Sequence, residues 1–150
     1  MIHLPSFLAV SPRLLTSGQP APDDFGALAE AGVEVVINLA PPGAHHYLAD
    51  EAQLVLENGM IYAHFPILFS RPLVSDFASF AGVMNAHRER VVLVHCAANV
   101  RVSTLVYLYR TLIEGEDESS ARARMSQIWQ PDAIWSQLIY DVRERFVAAG

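Results

Sequence analysis

Residues 91–104, Val91-Val92-Leu93-Val94-His95-Cys96-Ala97-Ala98-Asn99-Val100-Arg101-Val102-Ser103-Thr104, constrain the fold more than any other stretch. Four β-formers in succession, Val91 to Val94, predict a strand buried on both faces. The run Leu105-Val106-Tyr107-Leu108-Tyr109-Arg110 behind it has helical spacing and continues to Gly115, a C-terminal stop. Strand, short loop and helix in that order place Cys96 at the loop's entrance and Arg101 at its exit. Such a turn aims successive backbone N–H groups at one spot, and the helix adds about +0.5 charge at its N-terminus. Ala97, Ala98, Asn99, Val100 and Arg101 therefore read as an anion cradle. The same field favours a thiolate at Cys96. Arg101 offers a planar fork that matches two oxygens of a phosphate or sulfate. Each residue also has a plainer reading. A single Cys after an apolar strand is often a small buried hydrophobe, and an Arg near a helix start usually faces solvent. His95 before the Cys, and the hydroxyls of Ser103 and Thr104 after the Arg, favour a site.

His95-Cys96 followed by Arg101 and Ser103 resembles the signature loop of the cysteine-dependent protein phosphatases, tyrosine and dual-specificity. Upstream, Leu15-Thr16-Ser17-Gly18-Gln19-Pro20, then a helical pattern, then Val33-Glu34-Val35-Val36-Ile37-Asn38-Leu39, is similar to a bacterial branch of that superfamily with dual-specificity-like domains. The resemblance runs from Arg13 to Trp135. It implies Cys96 as the nucleophile, passing through a phosphocysteine intermediate. Arg101 would clamp the equatorial oxygens, Ser103 would assist the thiolate or its departure, and His95 would orient the loop from beneath. No nucleotide or metal cofactor is required. The resemblance also implies an acid, an Asp on the loop after the strand preceding the cysteine strand. Here that loop is Ile67-Leu68-Phe69-Ser70-Arg71-Pro72, which holds no carboxylate. Asp76 is the nearest acid and the weakest of the proposed catalytic residues, because it also suits an N-cap or a first helical turn. His64 and the pair His45-His46 are weaker still.

The loop departs from the phosphatase pattern in two ways. Four residues, Ala97 to Val100, separate Cys96 from Arg101, where the phosphatases have five. The usual mid-loop glycine is missing, and Asn99 is its nearest substitute; Asn tolerates positive φ better than other non-glycine residues. Four intervening residues is the length in rhodanese-like sulfurtransferases, whose cysteine carries a persulfide. Three readings follow: a cysteine phosphatase acting on a phosphorylated or other oxyanion substrate, a sulfurtransferase, and a catalytically weak oxyanion-binding module. The His-Cys start, the position of Ser103 and the wider resemblance favour the first.

The rest of the chain predicts one α/β domain over residues 1–150. The expected architecture has three layers, with a mostly parallel central sheet, helices on both faces and the cysteine strand central. It is dual-specificity phosphatase-like. Expected strands are Phe7–Val10, Leu14–Thr16, Val33–Leu39, Met60–Pro66 and that of Val91–Val94. Expected helices open at Pro22, span Tyr47–Asn58, run from Ser75-Asp76 to near Arg90, follow Arg101, run from Glu116 to about Trp129, and begin at Pro131. The formal net charge of −6 gives no basic footprint for nucleic acid and no attraction to anionic membranes. Cys96 is the single cysteine, so no intrachain disulfide can form, which suits a reducing cytoplasm, and a cysteine-cluster zinc site is excluded. Met1–Val10 does not look like a signal peptide, and no apolar run reaches about 18 residues. His45 and His46 fall on a long loop expected at the same sheet edge as Cys96, more simply read as solvated; with His64 they lack the spacing that organises a metal site. Arg122 and Arg124 read as solvated helix charges, and Trp129 and Trp135 as packing.

Overall fold

The computed structural model describes residues 3–148; Met1 and Ile2, at the start of the segment read for a leader, lie outside the described residues. Five strands make one sheet: β1 Leu8–Ser11, β2 Leu14–Ser17, β3 Val35–Asn38, β4 Ile61–His64 and β5 Val92–His95. Their spatial order is β1-β2-β5-β3-β4, so the cysteine strand is central. Only β1 and β2 pair antiparallel; β2–β5, β5–β3 and β3–β4 are parallel. Among the described residues there are six helices: α1 Asp24–Glu30, α2 Glu51–Glu57, α3 Val74–Ala86, α4 Val100–Leu112, α5 Glu118–Ser126 and α6 Ala133–Ala148.

Alternation along the strands divides the core. Val92, Val94, Val35 and Ile37 face the layer of α3, α4, α5 and α6, packing with Phe77, Phe80, Leu105, Leu108, Met125 and Trp135. Leu93 and Val36 face α1 and α2, against Phe25, Leu28 and Val55. Burial on both faces is why β5 and β3 carry uninterrupted apolar runs. Each fully buried Leu, Val or Phe contributes about 1.5–3 kcal/mol.

The register lines up the strand ends. Ser17 pairs with His95, His95 with Asn38, and Asn38 with His64, so four polar residues form a row across the carboxyl edge of the parallel strands. In β3, β4 and β5 the residue before this row is apolar, Ile37, Ala63 and Val94. Ligand sites of open α/β sheets lie beyond such an edge.

Several boundaries differ from expectation, each for a local reason. Helix α2 begins at Glu51 rather than Tyr47, because residues 47–50 are taken up by turns closed by Tyr47 N donating to Ala44 O and Glu51 N to Leu48 O. The N-cap of α3 is Leu73, held extended at φ −117 and ψ 151, and not Ser75 or Asp76. Pro72 precedes it. Asp76, three residues on, accepts from Leu73 N at 2.8 Å. The same helix ends at Ala86, and Arg90 N turns back to His87 O. Asp117 caps α5 by accepting from Ser120 N. Asp132 Oδ1 accepts from Trp135 N at 2.9 Å, so α6 starts at Ala133 and not at Pro131. Among the described residues no helix is long and apolar enough to cross a membrane.

Candidate active site

The loop from Cys96 to Asn99 joins β5 to α4 at the carboxyl edge. Asn99 is the N-cap of α4 and sits at φ 68, ψ 0, the left-handed conformation the missing glycine would otherwise supply. Its amide holds the turn in place: Nδ2 donates to Ser6 O at 2.8 Å and to Thr16 Oγ1 at 3.0 Å. The neighbouring segment tightens the loop from the side. Gln19 N donates to Ala97 O at 3.1 Å, and Cys96 N to Ser17 O at 3.4 Å. A Cβ at Gly18 would stand 2.6 Å from Ala97 O, so the close approach requires glycine there.

The loop leaves donors free. Gly18 and Ala98 form an antiparallel bridge beside the loop, which turns the Asn99 N–H toward the Ser17 carbonyl; among the described residues the N–H groups of Ala97, Ala98, Val100 and Arg101 have no backbone acceptor. The first carbonyl of the α4 ladder, that of Asn99, accepts from Ser103 N and lies too late in the chain to serve them. Arg101, 6% exposed, reaches from the first turn of α4. Its Nη1 lies 3.5 Å from Ile67 O, and its guanidinium carbon lies 5.8 Å from the centre of the Phe69 ring. Its Nε is buried without a partner. Cys96 is fully buried, within the core cluster on the α3–α6 side of the sheet that also holds Ile67. Three buried side-chain atoms lack partners among the described residues: Arg101 Nε, Asn99 Oδ1 and Gln19 Oε1. All three belong to the loop or to the segment bonded to it.

The structure separates the remaining site expectations. Ser103 Oγ donates to Val100 O at 3.0 Å, the back-bond of a hydroxyl on a helix. Among the described residues it makes no hydrogen bond to Cys96, so the expected help to the thiolate has no contact here. Asp76 is engaged by the α3 cap. The loop expected to supply an acid holds Leu68, Phe69, Ser70 and Arg71 and no carboxylate. Leu68 and Phe69 are partly exposed, and Phe69 packs against Trp129 and Trp135. Trp135 Nε1 donates to Phe69 O at 2.8 Å and fixes the loop. His64 Nε2 lies 2.7 Å from Ala40 O and braces the loop after β3, while His45 and His46 are exposed. Arg122 and Arg124 pair with Glu118 and Glu116 on α5 and the α4–α5 connection. Among the described residues no three His, Cys, Asp or Glu side chains are grouped to hold a metal ion.

His95, by contrast, is tied to a residue the sequence pattern passed over. Its Nε2 lies 2.6 Å from Oε2 of Glu51, the first residue of α2. Glu51 and Val55 share the buried face of that helix. An acid one turn before a core valine is the signal that could have found it.

No family model matches the chain. A crystal structure from Shewanella putrefaciens CN-32 described as "Putative phosphatase (DUF442)" is similar at 32% identity and a TM-score of 0.85, over 95% of this chain and 94% of that one. A structure described as Tk-PTP in its active form has the same fold, with a TM-score of 0.79 at 20% identity, covering 94% of this chain and 98% of the other. "Beta-lactamase hydrolase-like protein" of Xylella fastidiosa is 29% identical over 109 residues, 71% of this chain. This chain spans about a quarter of that curated relative's length.

Proposed function

The chain belongs to the DUF442 phosphatase family of the cysteine-dependent phosphatase superfamily, and from that premise we propose that it hydrolyses phosphate monoesters with good leaving groups through Cys96. The observation that carries this reading is the buried Nε of Arg101, without a partner among the described residues, beside loop N–H groups that have no backbone acceptor there. Convergent donors of this kind suit an anion held over the loop. The sulfurtransferase and binding-module readings draw no support from the relatives.

In this proposal the oxyanion lies over the loop, held by the N–H groups of Ala97, Ala98 and Val100 and by the Arg101 fork. The Cys96 thiolate attacks phosphorus; a P–S bond forms, and the P–O bond to the leaving group breaks with its electron pair. Water then cleaves the P–S bond, releasing inorganic phosphate and restoring the thiolate. The loop from Ile67 to Pro72 offers no carboxylate, so the departing oxygen takes its proton from water. Aryl and other acidic leaving groups suit this arrangement, and alkyl esters do not. The segment is proposed to fold and act as one domain.

The test is turnover of an aryl phosphate combined with acid-quench mass spectrometry of Cys96. Transient addition of one phosphoryl group to Cys96 is expected. Undiminished turnover in Cys96→Ser overturns the reading.

A further inference from the structure

Beneath the cysteine loop lies a connected group of buried polar side chains from separate elements. His95 ends β5 and is 0% exposed; Glu51 opens α2 and is 1% exposed. Gln19 Nε2 donates to Glu51 Oε1 at 2.6 Å and to Pro20 O at 3.1 Å. Tyr62 on β4, whose hydroxyl accepts from Asn38 Nδ2, borders the same carboxylate. Its phenol is pushed up to about 12, first by burial and further by the Glu51 charge. On the far side of the imidazole, His95 Nδ1 lies 3.3 Å from Cys96 O.

The proton positions follow from what each atom can do. A backbone carbonyl only accepts, so Nδ1 must donate to Cys96 O. Glu51 Oε1 accepts from Gln19 Nε2, and a single proton lies between Oε2 and His95 Nε2; with that proton on the ring, Nε2 donates to Oε2. An imidazole that donates at both nitrogens is an imidazolium. A neutral ring with its proton on Nε2 would set two lone pairs, those of Nδ1 and of the Cys96 carbonyl, in contact. The ring's titratable neighbours are Glu51, with Tyr62 behind it, and Cys96.

We propose that Glu51 is a positioning residue: it holds His95 as an imidazolium whose Nδ1–H fixes the Cys96 carbonyl and whose charge lies beside the loop. Glu51 and Gln19 are remote from the loop motif in sequence, yet they set the orientation of the peptide that carries the sulfur. The positive end of the buried pair points toward Cys96 and the negative end away, which favours the thiolate. What the cysteine is positioned for rests on the phosphatase reading; the ring's protonation does not.

The experiment is ¹⁵N NMR of His95 at neutral pH, assigned by its loss in His95→Gln, together with the alkylation rate of Cys96 by iodoacetamide, in the wild type and Glu51→Gln. The single cysteine makes alkylation unambiguous. Two protonated ring nitrogens are expected in the wild type and one in Glu51→Gln, with alkylation slowed about tenfold. Aryl phosphate turnover should fall mainly in kcat, by up to about 10²-fold, because a misplaced nucleophile costs that much. A singly protonated ring in the wild type, or unchanged alkylation in the variant, overturns the proposal. If Glu51→Gln fails to fold, the wild-type spectrum and the shorter Glu51→Asp decide in the same way. If the wild type turns over no aryl phosphate, the phosphatase reading fails while the spectrum and the alkylation still judge Glu51.

Discussion

Two arginines of this chain occupy opposite electrostatic worlds. Arg124, on α5, meets Glu116 with two nitrogens, and Arg110 meets the same carboxylate. Arg122 and Arg143 share the Tyr107 hydroxyl and the Glu118 carboxylate. Every charge in that cluster has a partner. Arg101 is more deeply buried, yet it has one long contact to a carbonyl and an aromatic ring and no carboxylate among the described residues. The difference separates structure from function. A buried cation with a counterion holds helices together, whereas one without it is kept at a cost that only a ligand removes.

The largest expected effect falls on Cys96, the nucleophile proposed above. Cys96→Ser should lower aryl phosphate turnover by at least about 10³-fold, measured as kcat/KM, since removing a nucleophile leaves only binding and oxyanion stabilisation. Next comes a paired substitution that tests the comparison directly. Arg101→Met should lower kcat/KM by about 10²–10³-fold while its urea midpoint stays level or rises. Arg124→Met should lower the midpoint and spare turnover, because it leaves Glu116 partly unpaired. If both variants lose stability alike, the contrast between the two arginines is wrong.

The third expectation concerns the side of the cradle where an acid is missing. Alkyl phosphates should be cleaved at least about 10²-fold more slowly than aryl phosphates, the usual contribution of a general acid. Asp76→Asn should leave the aryl rate unchanged and weaken only the α3 cap, by about 1 kcal/mol. A matching drop in alkyl and aryl turnover in Asp76→Asn would return that residue to the chemistry.

The strand, tight turn and helix around Cys96 are legible in the sequence because their information is local. Four β-formers, a cysteine, a short loop and a helical run lie within one stretch, and Asn99 was readable as the left-handed residue because few other side chains adopt that conformation. The support beneath it was not legible. Glu51 lies 44 residues before His95, and Gln19 lies 32 before Glu51; only the sheet order β2-β5-β3 and the packing of α2 bring them together. Helix starts were misplaced where a loop's hydrogen bonds outcompeted propensity, as at residues 47–50 and at Leu73. The hydroxyl of Ser103 was assigned by its spacing from Cys96, but position in sequence does not fix a rotamer, and on a helix its carbonyl three residues back is the nearer acceptor.

A smaller effect should come from the close contact that shapes the loop. Gly18→Ala would set a methyl 2.6 Å from Ala97 O, a backbone atom that cannot swing aside. The loop must shift, lowering the urea midpoint by the equivalent of about 1–3 kcal/mol and raising KM for the aryl ester. Loss of stability with unchanged KM would show that the cradle adapts.

The smallest effect belongs to the paired region and is visible in pH. Hydrogen bonds from Arg124, and then from Arg110, hold the Glu116 carboxyl down to about 2 from the usual 4.5. A carboxylate whose folded value is depressed contributes stability that is fully present above its unfolded value and is lost as pH falls through the folded one. Wild-type stability should therefore decline between about pH 4.5 and 2, by about 1–2 kcal/mol from this group after solvent screening. Glu116→Gln should flatten that part of the profile. Arg101 has no carboxylate to protonate, so Arg101→Met should leave the slope as it is. A slope that changed with Arg101 and not with Glu116 would place the acid-sensitive pairing at the cradle and reverse the assignment of the two arginines.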